Sequence, residues 1–579
     1  MSLRLWGGAM RGRSAHDTPG FPPHRIALKY KVACSRKSIQ SPYSLSINRD
    51  MLGDEAMSTI TRRSFLQAAA AAPLAASLTH SAAPKRPNII LIMADDLGFS
   101  DIGPYGSEIS TPNLDRLAAG GVRFTQFNNT PRCCPSRTAL LTGIYSHQAG
   151  IGHMVQDYGL PGYRGFLNEH CVTIAEALQP SGYHPLMVGK WHVGEKHPHW
   201  PVDRGFERYF GLITGGDNYF RPKNQMALEN ESWQNTDPAY YMTNAFADHA
   251  VQLIGEYAAK PDPYFLYMPF TAPHWPLHAL PEDIAKYRGK YLKGWDVLRQ
   301  ERHERQMSKG IVDARWGITP RDEVVPSWAS IGNKDDWDLR MAVYAAQVDR
   351  LDRNIGRILD KVKETGQEEN TLIMFLSDNG GCAEENIAPE IYGVPAGPAE
   401  SFTSYRRPWA NLSNTPFRLY KHWVHEGGIS SPFIAYWPAV IKQPDSLHHD
   451  RAHMIDLMAT VLDAAGAEYP KTCRGNEIHP LQGKSLLPTF QGRKRELHDA
   501  IFWEHEGNKA VKSGDWKLVS RYPDGWGLYN LAEDRTEMRD LSIEHPKKVA
   551  ELAGLWSDWA NHNNVLPWNE VQAAMPKRT

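Results

Sequence analysis

The chain has 579 residues, of which 41% are apolar and 10% are aromatic, so it can bury a large core, and a disordered or fibrous protein is excluded. Its 64 Lys and Arg residues balance 65 Asp and Glu residues, so no global charge favours nucleic acid or anionic lipid as a partner. Six cysteines without a CxxC pair are too sparse for a disulfide scaffold or for structural zinc.

The N-terminal region predicts an export signal. Paired arginines, Arg62 and Arg63, stand ahead of an apolar run from Ala68 to Leu78, and small residues follow. This order is typical of a twin-arginine signal peptide, and the run is too short to span a bilayer. A buried Ala-rich helix is the alternative. We expect a signal at 57–83, export by the twin-arginine translocase to the periplasm or the medium, and a mature chain without a membrane span.

Residues 1–56 precede that signal and are polar, rich in Arg and Ser, and without hydrophobic periodicity. Such a stretch does not predict a folded element. We expect either a start placed too early, with Met57 as the true first residue, or a disordered extension.

Three continuous apolar runs predict buried strands. They are residues 88–93, 264–268 and 371–376, and polar groups follow each of them within a few residues. Strands buried on both faces are typical of a mostly parallel sheet. A long amphipathic helix is predicted from about Asp336 to a stop at Gly366. Alternating strands and helices predict an α/β sandwich, in which ligands bind beyond the carboxyl ends of the strands.

Two helix starts are predicted from local signals. Thr111 is expected to cap a helix that has Pro112 at its first position. Pro135 is expected to open a helix that runs to Gly143 and leaves Cys133 just before its N-terminus, where anions are favoured. From the residues alone, Cys133 is a thiolate nucleophile, a core thiol or half of a disulfide, and these alternatives stay open.

The C-terminal part shows a different pattern. We expect the main domain over 84–475 and a smaller α+β subdomain over 476–579, with short strands in an antiparallel sheet and a closing helix at about 546–560. The stretches 218–237 and 287–328 are polar and weakly periodic, and we predict that both are loops or lids over the site.

Two acidic pairs follow predicted strands and are candidate metal ligands. Asp95 and Asp96 follow the first apolar run, and Asp378 and Asn379 follow the third. Because their ligand atoms are oxygens, such residues suit calcium or magnesium rather than zinc. A solvated turn is the commoner outcome for one isolated pair, but two pairs at equivalent strand ends favour a shared cation.

Several motifs in this chain resemble the type I sulfatases, and they occur in that family's order. They are Ala94-Asp95-Asp96-Leu97-Gly98, Thr111-Pro112-Asn113-Leu114-Asp115, Cys133-x-Pro135-Ser136-Arg137 with Thr142-Gly143, Gly189-Lys190-Trp191-His192, Ala272-Pro273-His274-x-Pro276, Ser377-Asp378-Asn379-Gly380-Gly381 and Glu426-Gly427-Gly428. The resemblance covers roughly 87–438, and 109–154 is most similar to bacterial arylsulfatases. Pro185 departs from the family pattern, which usually has Ser or Thr there.

The resemblance implies an alkaline-phosphatase-like fold and hydrolysis of sulfate esters. It also implies that a formylglycine-generating enzyme oxidises Cys133 to formylglycine. One calcium ion per chain would then be bound by Asp95, Asp96, Asp378 and Asn379, with modified Cys133 and the substrate sulfate completing its ligands. The expected substrate is a sulfated small molecule or a sulfated carbohydrate.

Further roles follow from the same resemblance. Arg137 would hold the formylglycine hydrate, while Lys190 and Lys421 would contact sulfate oxygens. Lys421 and His274 would assist departure of the alcohol, and His192 would deprotonate the second hydroxyl of the hydrate. Phosphodiester or phosphonate monoester hydrolysis is an alternative, because some phosphonate hydrolases share the cysteine motif. A second alternative is an exported carbohydrate-binding protein without catalysis.

For most of the other histidines and cysteines, two roles remain open. Some histidines are expected either to line the pocket or simply to pack, namely His147, His153, His278 and His425. Cys134 is predicted to be a small core residue. The remaining cysteines of the mature chain, Cys171, Cys382 and Cys473, are expected to be buried thiols or to include one disulfide pair.

Overall fold

The structure is a computed structural model that describes residues 86–385 and 393–576. The expected extension at 1–56 and signal at 57–83 lie outside the described residues. The described part of the chain belongs to one compact unit. Within it, no helix combines the length and the hydropathy needed to cross a bilayer.

The strands are numbered in chain order. They are β1 (Asn88–Ala94), β2 (Val122–Phe124), β3 (Phe127–Asn128), β4 (His184–Val188), β5 (Arg208–Leu212), β6 (Met226–Leu228), β7 (Glu231–Trp233), β8 (Tyr264–Pro269), β9 (Thr371–Ser377), β10 (Phe433–Tyr436), β11 (Ser446–His448), β12 (Ala452–His453), β13 (Thr472–Cys473), β14 (Asn476–Glu477), β15 (Ala500–His505), β16 (Asn508–Ser513), β17 (Trp516–Ser520) and β18 (Trp526–Asn530).

The α-helices are numbered in the same way. They are α1 (Pro112–Gly120), α2 (Cys133–Thr142), α3 (Ile174–Leu178), α4 (Met242–Ala258), α5 (Pro281–Ala285), α6 (Trp295–Ser308), α7 (Lys334–Glu364), α8 (Arg406–Ser413), α9 (Glu426–Ile429), α10 (Asp456–Ala465), α11 (Leu487–Phe490), α12 (Pro546–His562) and α13 (Trp568–Ala574).

The central sheet has ten strands in the order β11-β2-β10-β9-β1-β8-β4-β5-β6-β7. Its five middle strands, from β9 to β5, run parallel to one another. Alternate residues of β1 enter two separate cores, with Ile90 and Ile92 facing α1, α4 and α7, and with Leu91 and Met93 facing α2, α3 and α10. Both faces of the middle strands are therefore apolar, and the predicted α/β sandwich with a mostly parallel sheet is confirmed.

The long helix predicted from about 336 is confirmed as α7, and Gly366 follows it with a φ of 70°. The predicted start of α1 is also correct, but the prediction that the Thr111 side chain caps this helix is wrong. The Thr111 hydroxyl accepts a hydrogen bond from the Gly103 amide instead of from α1. A carboxylate on α7 replaces it, because Asp352 accepts hydrogen bonds from the amides of residues 113 and 114.

The two predicted lids are more ordered than expected. The stretch 218–237 contributes the edge strands β6 and β7, and 287–328 contains α6. The loop prediction for 287–328 is wrong because arginine occupies part of the buried face of α6 and hides its periodicity. Arg302 is fully buried, where its guanidinium lies 2.6 Å from Asp101 Oδ1 and 2.8 Å from a Glu108 carboxylate oxygen.

The C-terminal strands β15 to β18 form a separate four-stranded sheet. Every neighbouring pair in it is antiparallel. Leu552 of α12 packs against Val511, Leu518 and Leu528 on one face of this sheet. The predicted antiparallel sheet and closing helix are therefore confirmed.

Candidate active site

The two acidic pairs meet at the carboxyl ends of β1 and β9. The Asp96 amide donates a hydrogen bond of 3.0 Å to Asp378 Oδ1, and Asn379 Nδ2 donates one of 2.6 Å to Asp96 Oδ1. Asp96 has a φ of 64°, a left-handed conformation that is costly for a residue with a side chain. Because β1 and β9 are adjacent and parallel, their ends bring residues that are far apart in the sequence to one point.

These oxygens are suited to a hard cation. Asp95, Asp96, Asp378 and Asn379 are almost completely buried. Asp95 Oδ1 and Asn379 Oδ1 have no hydrogen-bond partner within 86–385 and 393–576, and a buried oxygen without a partner is costly. Carboxylate and amide oxygens are the ligands that calcium prefers, so the residues present fit a calcium ion.

Two buried cations lie against Asp95 and Asp378. Lys190, which follows β4, places its Nζ 2.6 Å from Asp95 Oδ2. Arg137 of α2 lies 2.9 Å from Asp378 Oδ2 and 3.5 Å from Asp95 Oδ2. Arg137 also donates a hydrogen bond to the Lys190 carbonyl, which fixes the strand end relative to α2.

Two further basic groups lie beside Asp96. Lys421 Nζ is 2.9 Å from Asp96 Oδ1, and His274 Nε2, from the loop after β8, is 3.4 Å from Asp96 Oδ2. The other ring nitrogen of His274, Nδ1, contacts the carbonyl of Trp275 and therefore carries a proton. We call the four acidic-pair residues together with Arg137, Lys190, His274 and Lys421 the strand-end cluster.

The two carboxylates next to Arg137 differ in their electrostatics. Burial and the neighbouring Asp95 charge raise the pKa of Asp378 well above its ordinary value. Burial would also raise the pKa of Asp95, but Lys190, His274 and Arg137 together hold it below its ordinary value. The pocket thus contains a carboxylate that is costly to ionise unless more positive charge is supplied.

Cys133 is the first residue of α2, so this helix begins two residues earlier than the start expected at Pro135. Its side chain is buried. A hydrogen bond with Cys134 lowers the pKa of the Cys133 thiol, and the charges of Lys190 and Lys421 lower it further, although burial opposes them. The strand-end cluster and the start of α2 therefore favour negative charge at position 133.

His192 lies close to both Cys133 and Cys134. Its Nε2 is 3.4 Å from Cys134 Sγ, and its Nδ1 has no hydrogen-bond partner in the part of the chain that the structure describes. Burial lowers the pKa of His192 to about 4, so the ring is neutral at neutral pH and able to accept a proton. Cys134 is fully buried, as its predicted core role requires, and it also contacts a candidate catalytic histidine.

The sequence motifs missed a pair of charges at the edge of this site. Arg132 Nη1 lies 2.6 Å from Glu384 Oε1, and the Trp275 indole donates a hydrogen bond of 3.0 Å to Glu384 Oε2. Burial would raise the pKa of Glu384, but Lys421 and Arg132 lower it, so the residue is ionised. Glu384 has no sequence signal, and only the position of Arg132 directly before Cys133 could have suggested it.

The remaining candidates have structural contacts. His147 pairs with Glu504 at 2.8 Å, and His278 contacts the Ser401 carbonyl at 2.7 Å. The five cysteines in the described residues are free thiols, so the alternative of a disulfide among Cys171, Cys382 and Cys473 is not observed. His153 takes part in a separate cluster and His425 is buried.

The fold and the strand-end cluster define an enzyme of alkaline-phosphatase-like architecture with acidic and basic groups gathered at the carboxyl edge of its sheet. The family model described as "Sulfatase" matches residues 87–467, and the one described as "N-sulphoglucosamine sulphohydrolase, C-terminal" matches 417–556. The chain therefore belongs to the sulfatase family. It is an enzyme that hydrolyses sulfate esters.

Curated relatives agree with this assignment. The chain is 35% identical over 532 residues to an uncharacterized sulfatase of Schizosaccharomyces pombe, with 83% of this chain and 95% of that protein covered. It is 32% identical over 460 residues to an arylsulfatase of Klebsiella aerogenes, with 74% of this chain and 98% of that protein covered. N-acetylgalactosamine-6-sulfatase of Mus musculus is 27% identical and covers 79% of this chain and 77% of its own length.

A solved structure has the same architecture. The crystal structure of Ps i-CgsB in complex with k-i-k-neocarrahexaose superposes with a TM-score of 0.64 at 26% identity, over 85% of this chain and 98% of that chain. The putative sulfatase yidJ from Bacteroides fragilis has a TM-score of 0.60 at 19% identity, over 86% and 99% of the two chains, and supports the fold alone.

Proposed function

We propose that this sulfatase acts through a formylglycine hydrate at position 133 and one calcium ion bound by Asp95, Asp96, Asp378 and Asn379. The convergence of unpaired buried oxygens and fixed cations on the start of α2 carries the proposal. The formylglycine-generating enzyme would oxidise the Cβ carbon of Cys133 to an aldehyde with dioxygen as the oxidant and an external thiol as the source of two further electrons. The sulfur would leave as hydrogen sulfide and the second oxygen atom as water. Water then adds to the aldehyde and gives a carbon that bears two hydroxyl groups.

The first half of the reaction transfers sulfate to the enzyme. One hydroxyl of the hydrate gives up its proton as its oxygen attacks sulfur, and the bond between sulfur and the alcohol oxygen breaks, so that the alcohol gains one proton for the one that the hydroxyl loses. A bound calcium ion would supply positive charge that stabilises the charge on the sulfate oxygens. Lys190 and Lys421 stabilise the same oxygens, Arg137 orients the hydrate, and His274 together with Lys421 delivers a proton to the departing alcohol.

The second half releases sulfate without attack by water on sulfur. The neutral His192 ring takes the proton of the remaining hydroxyl, the carbon–oxygen double bond reforms, and the bond from carbon to the sulfate oxygen breaks. Water then hydrates the aldehyde again. A serine at position 133 would leave a stable sulfated enzyme, because it has no second hydroxyl on the same carbon.

Parallel turnover of chromogenic sulfate and phosphate esters tests the reaction class. The enzyme is produced with a formylglycine-generating enzyme and assayed with calcium, and Cys133→Ala serves as the matched control. We expect sulfate monoesters to be preferred and the control to be inactive. A large preference for phosphate diesters or phosphonate monoesters would assign the protein to that alternative. Tight binding of a sulfated carbohydrate without turnover would favour a binding protein.

The substrate is proposed to be a small aryl sulfate or a sulfated sugar. The half-buried ring of Trp275 lies 4.8 Å from the His274 ring, and an aromatic face at this position suits either an aromatic or a sugar ring. The chain is similar both to the arylsulfatase of Klebsiella aerogenes and to Ps i-CgsB, whose structure contains k-i-k-neocarrahexaose. Comparing kcat/KM for an aryl sulfate with that for sulfated oligosaccharides separates the two classes.

Export through the twin-arginine pathway is proposed from the sequence pattern alone. Replacing Arg62 and Arg63 together by Lys is expected to retain the full-length chain in the cytoplasm, whereas the unaltered chain reaches the periplasm or the medium. Cell fractionation followed by detection of the protein measures this. Equal export of both forms would contradict the proposal.

A further inference from the structure

A second group of metal-ligand side chains lies at the tip of the C-terminal sheet. β15 ends at His505, and the turn Glu506-Gly507 leads into β16, with φ angles of 50° and 82°. His153, from the loop that follows α2, faces this turn. Its Nε2 lies 2.8 Å from Glu506 Oε1, and His505 Nε2 lies 3.5 Å from the same oxygen. We call His153, His505 and Glu506 the hairpin cluster, and one ligand atom from each lies within 4.8 Å of the others.

An ordinary ion pair between His153 and Glu506 does not account for the buried ring of His505. Its side chain is completely buried, and neither ring nitrogen has a hydrogen-bond partner among the described residues. A buried polar group without a partner is destabilising by about 1–3 kcal/mol. The contact between His153 and Glu506 satisfies those two residues but leaves His505 unsatisfied. A metal ion bound to Nε2 would satisfy it, because a neutral imidazole is a good ligand.

The charges in this region suit a transition-metal ion. Burial lowers the pKa of His505 well below its ordinary value, and it also lowers the pKa of the adjacent His422, so both rings are neutral. Burial would raise the pKa of Glu506, but a hydrogen bond with His153 and the charges of the histidines hold it below its ordinary value. Two imidazoles and one carboxylate form a nitrogen-rich set, unlike the all-oxygen set at the strand ends.

Neighbouring residues orient these ligands. His153 Nδ1 lies 3.1 Å from the Tyr158 hydroxyl, which leaves Nε2 directed toward the turn. Asn508 Nδ2 donates a hydrogen bond to His422 Nε2, so the proton of the His422 ring is on Nδ1. His422 Nδ1 lies 3.5 Å from Glu506 Oε2. Such contacts behind the ligands are typical of metal sites, where they fix the tautomer and the direction of the ligating atom.

The hairpin cluster is accessible from solvent. The Glu506 side chain is 27% exposed and that of His153 is 12% exposed, whereas His505 closes the inner side completely. An ion can therefore enter from the side of Glu506. The ligands come from two distant parts of the chain, so a bound ion would tie the C-terminal sheet to the loop after α2.

We propose that His153, His505 and Glu506 bind a divalent transition-metal cation of the zinc class at a site separate from the strand-end cluster. His422 is a positioning residue for the Glu506 carboxylate. The site does not depend on the mechanism proposed above, since it shares no ligand with the calcium site.

Zinc titration of the full chain tests the site. The protein, without an affinity tag, is stripped of transition metals, saturated with calcium and titrated calorimetrically with zinc chloride. We expect one zinc ion per chain. Glu506→Gln and His153→Gln should each weaken binding by more than about 100-fold, whereas His422→Gln should weaken it by about 10-fold, as is typical for a residue behind the ligands. Circular dichroism verifies that each variant is folded.

Two controls separate this site from other zinc binding. His170→Gln changes an exposed histidine elsewhere and should leave the affinity unchanged, and Asp95→Asn should leave the zinc stoichiometry unchanged although it alters the strand-end cluster. The proposal is overturned if the protein binds no zinc saturably. It is equally overturned if the folded Glu506→Gln and His153→Gln proteins bind zinc as tightly as the unaltered chain.

Discussion

Two of the buried charge clusters in the described part of the chain differ in how completely their groups are paired. In the strand-end cluster, Asp95 Oδ1 and Asn379 Oδ1 have no hydrogen-bond partner among the residues that the structure describes. The second cluster lies between α9 and the C-terminal sheet, and we call it the C-terminal ionic cluster. It consists of Glu426, Lys512, Lys517, Arg535 and Glu537.

In the C-terminal ionic cluster each charge has an opposite charge nearby. Lys517 Nζ lies 2.9 Å from Glu426 Oε1 and 2.7 Å from Glu537 Oε1. Lys512 Nζ is 3.0 Å from Glu426 Oε1, and Arg535 Nε is 3.3 Å from Glu426 Oε2. Glu537 Oε1 also lacks a hydrogen bond, and burial raises the pKa of Glu537, but Lys517 supplies an opposite charge directly against that oxygen. At the strand ends, two buried oxygens on proposed metal ligands have no hydrogen-bond partner among the described residues, which indicates a site that needs a ligand. Substitutions should therefore affect stability in one cluster and activity in the other.

The largest effect is expected from Cys133→Ala. Loss of the nucleophile should lower kcat on the order of 10⁵-fold, because activity depends on the modified side chain. Thermal unfolding should show a nearly unchanged midpoint. Cys134→Ala is the matched control, since it removes the adjacent buried thiol but not the residue to be oxidised, and it should keep most of the activity. Equal loss in both variants would argue against a special role for position 133.

His192→Ala and His274→Ala should separate the two halves of the reaction. Each should lower kcat by about 10²- to 10⁴-fold, the usual contribution of a general acid or base. Only His192→Ala should release a burst of alcohol and accumulate a sulfated residue 133, because it slows the second half. Rapid-quench kinetics and intact mass measure this. A burst in His274→Ala, or in neither variant, would contradict the assigned roles.

Glu426→Gln should destabilise the protein by about 3–5 kcal/mol, because it leaves three buried cations facing Glu537 alone. Urea denaturation measures the change, and the folded fraction should keep its kcat. Lys512→Met is the control with a smaller expected loss, since burial already lowers the pKa of Lys512 to about 8 and its charge is costly. A large fall in kcat with unchanged stability would mean that this cluster takes part in catalysis.

Asp378→Asn should change stability less than Glu426→Gln does, and in the opposite direction. In calcium-free protein at pH 7 the variant should gain about 1 kcal/mol, because it removes a carboxylate that burial makes costly. As the pH falls, the folded wild type binds a proton on Asp378 before the unfolded chain does. The free-energy penalty of ionising Asp378 in the folded wild type is therefore fully present above the raised pKa. This penalty disappears as the pH approaches the ordinary pKa value of 3.8.

Denaturation of wild type and Asp378→Asn at several pH values measures this difference. It should shrink from pH 7 toward about pH 4. A variant that is less stable than wild type at pH 7 without calcium would show that Asp378 is a structural ion-pair partner, like Glu426. The comparison between the two clusters would then fail.

Much of the fold was predictable because its middle strands are apolar on both faces. The runs at 88–93, 264–268 and 371–376 each became one of the middle parallel strands, and the polar residues after them lie at one edge of the sheet. Helix α6 could not be predicted in the same way, because Arg302 is buried and a hydrophobic pattern does not register a buried arginine paired with Asp101.

The strand-end residues could be named from motifs, but their partners could not. Glu384 and Arg132 meet through tertiary contacts, and their ion pair leaves no periodic or spacing signal. The same holds for the hairpin cluster, in which His153 and Glu506 are separated by 353 positions. Long-range pairs of this kind depend on how the loops pack on the sheet.

Mass spectrometry of the tryptic peptide 133–137 tests the central claim most directly. The protein is produced with a formylglycine-generating enzyme, and sulfatase activity is measured on the same sample. We predict that residue 133 has an aldehyde oxygen in place of the thiol sulfur, that Cys134 is unchanged, and that activity rises in proportion to the modified fraction. A fully active enzyme whose residue 133 is an unmodified cysteine would contradict the account.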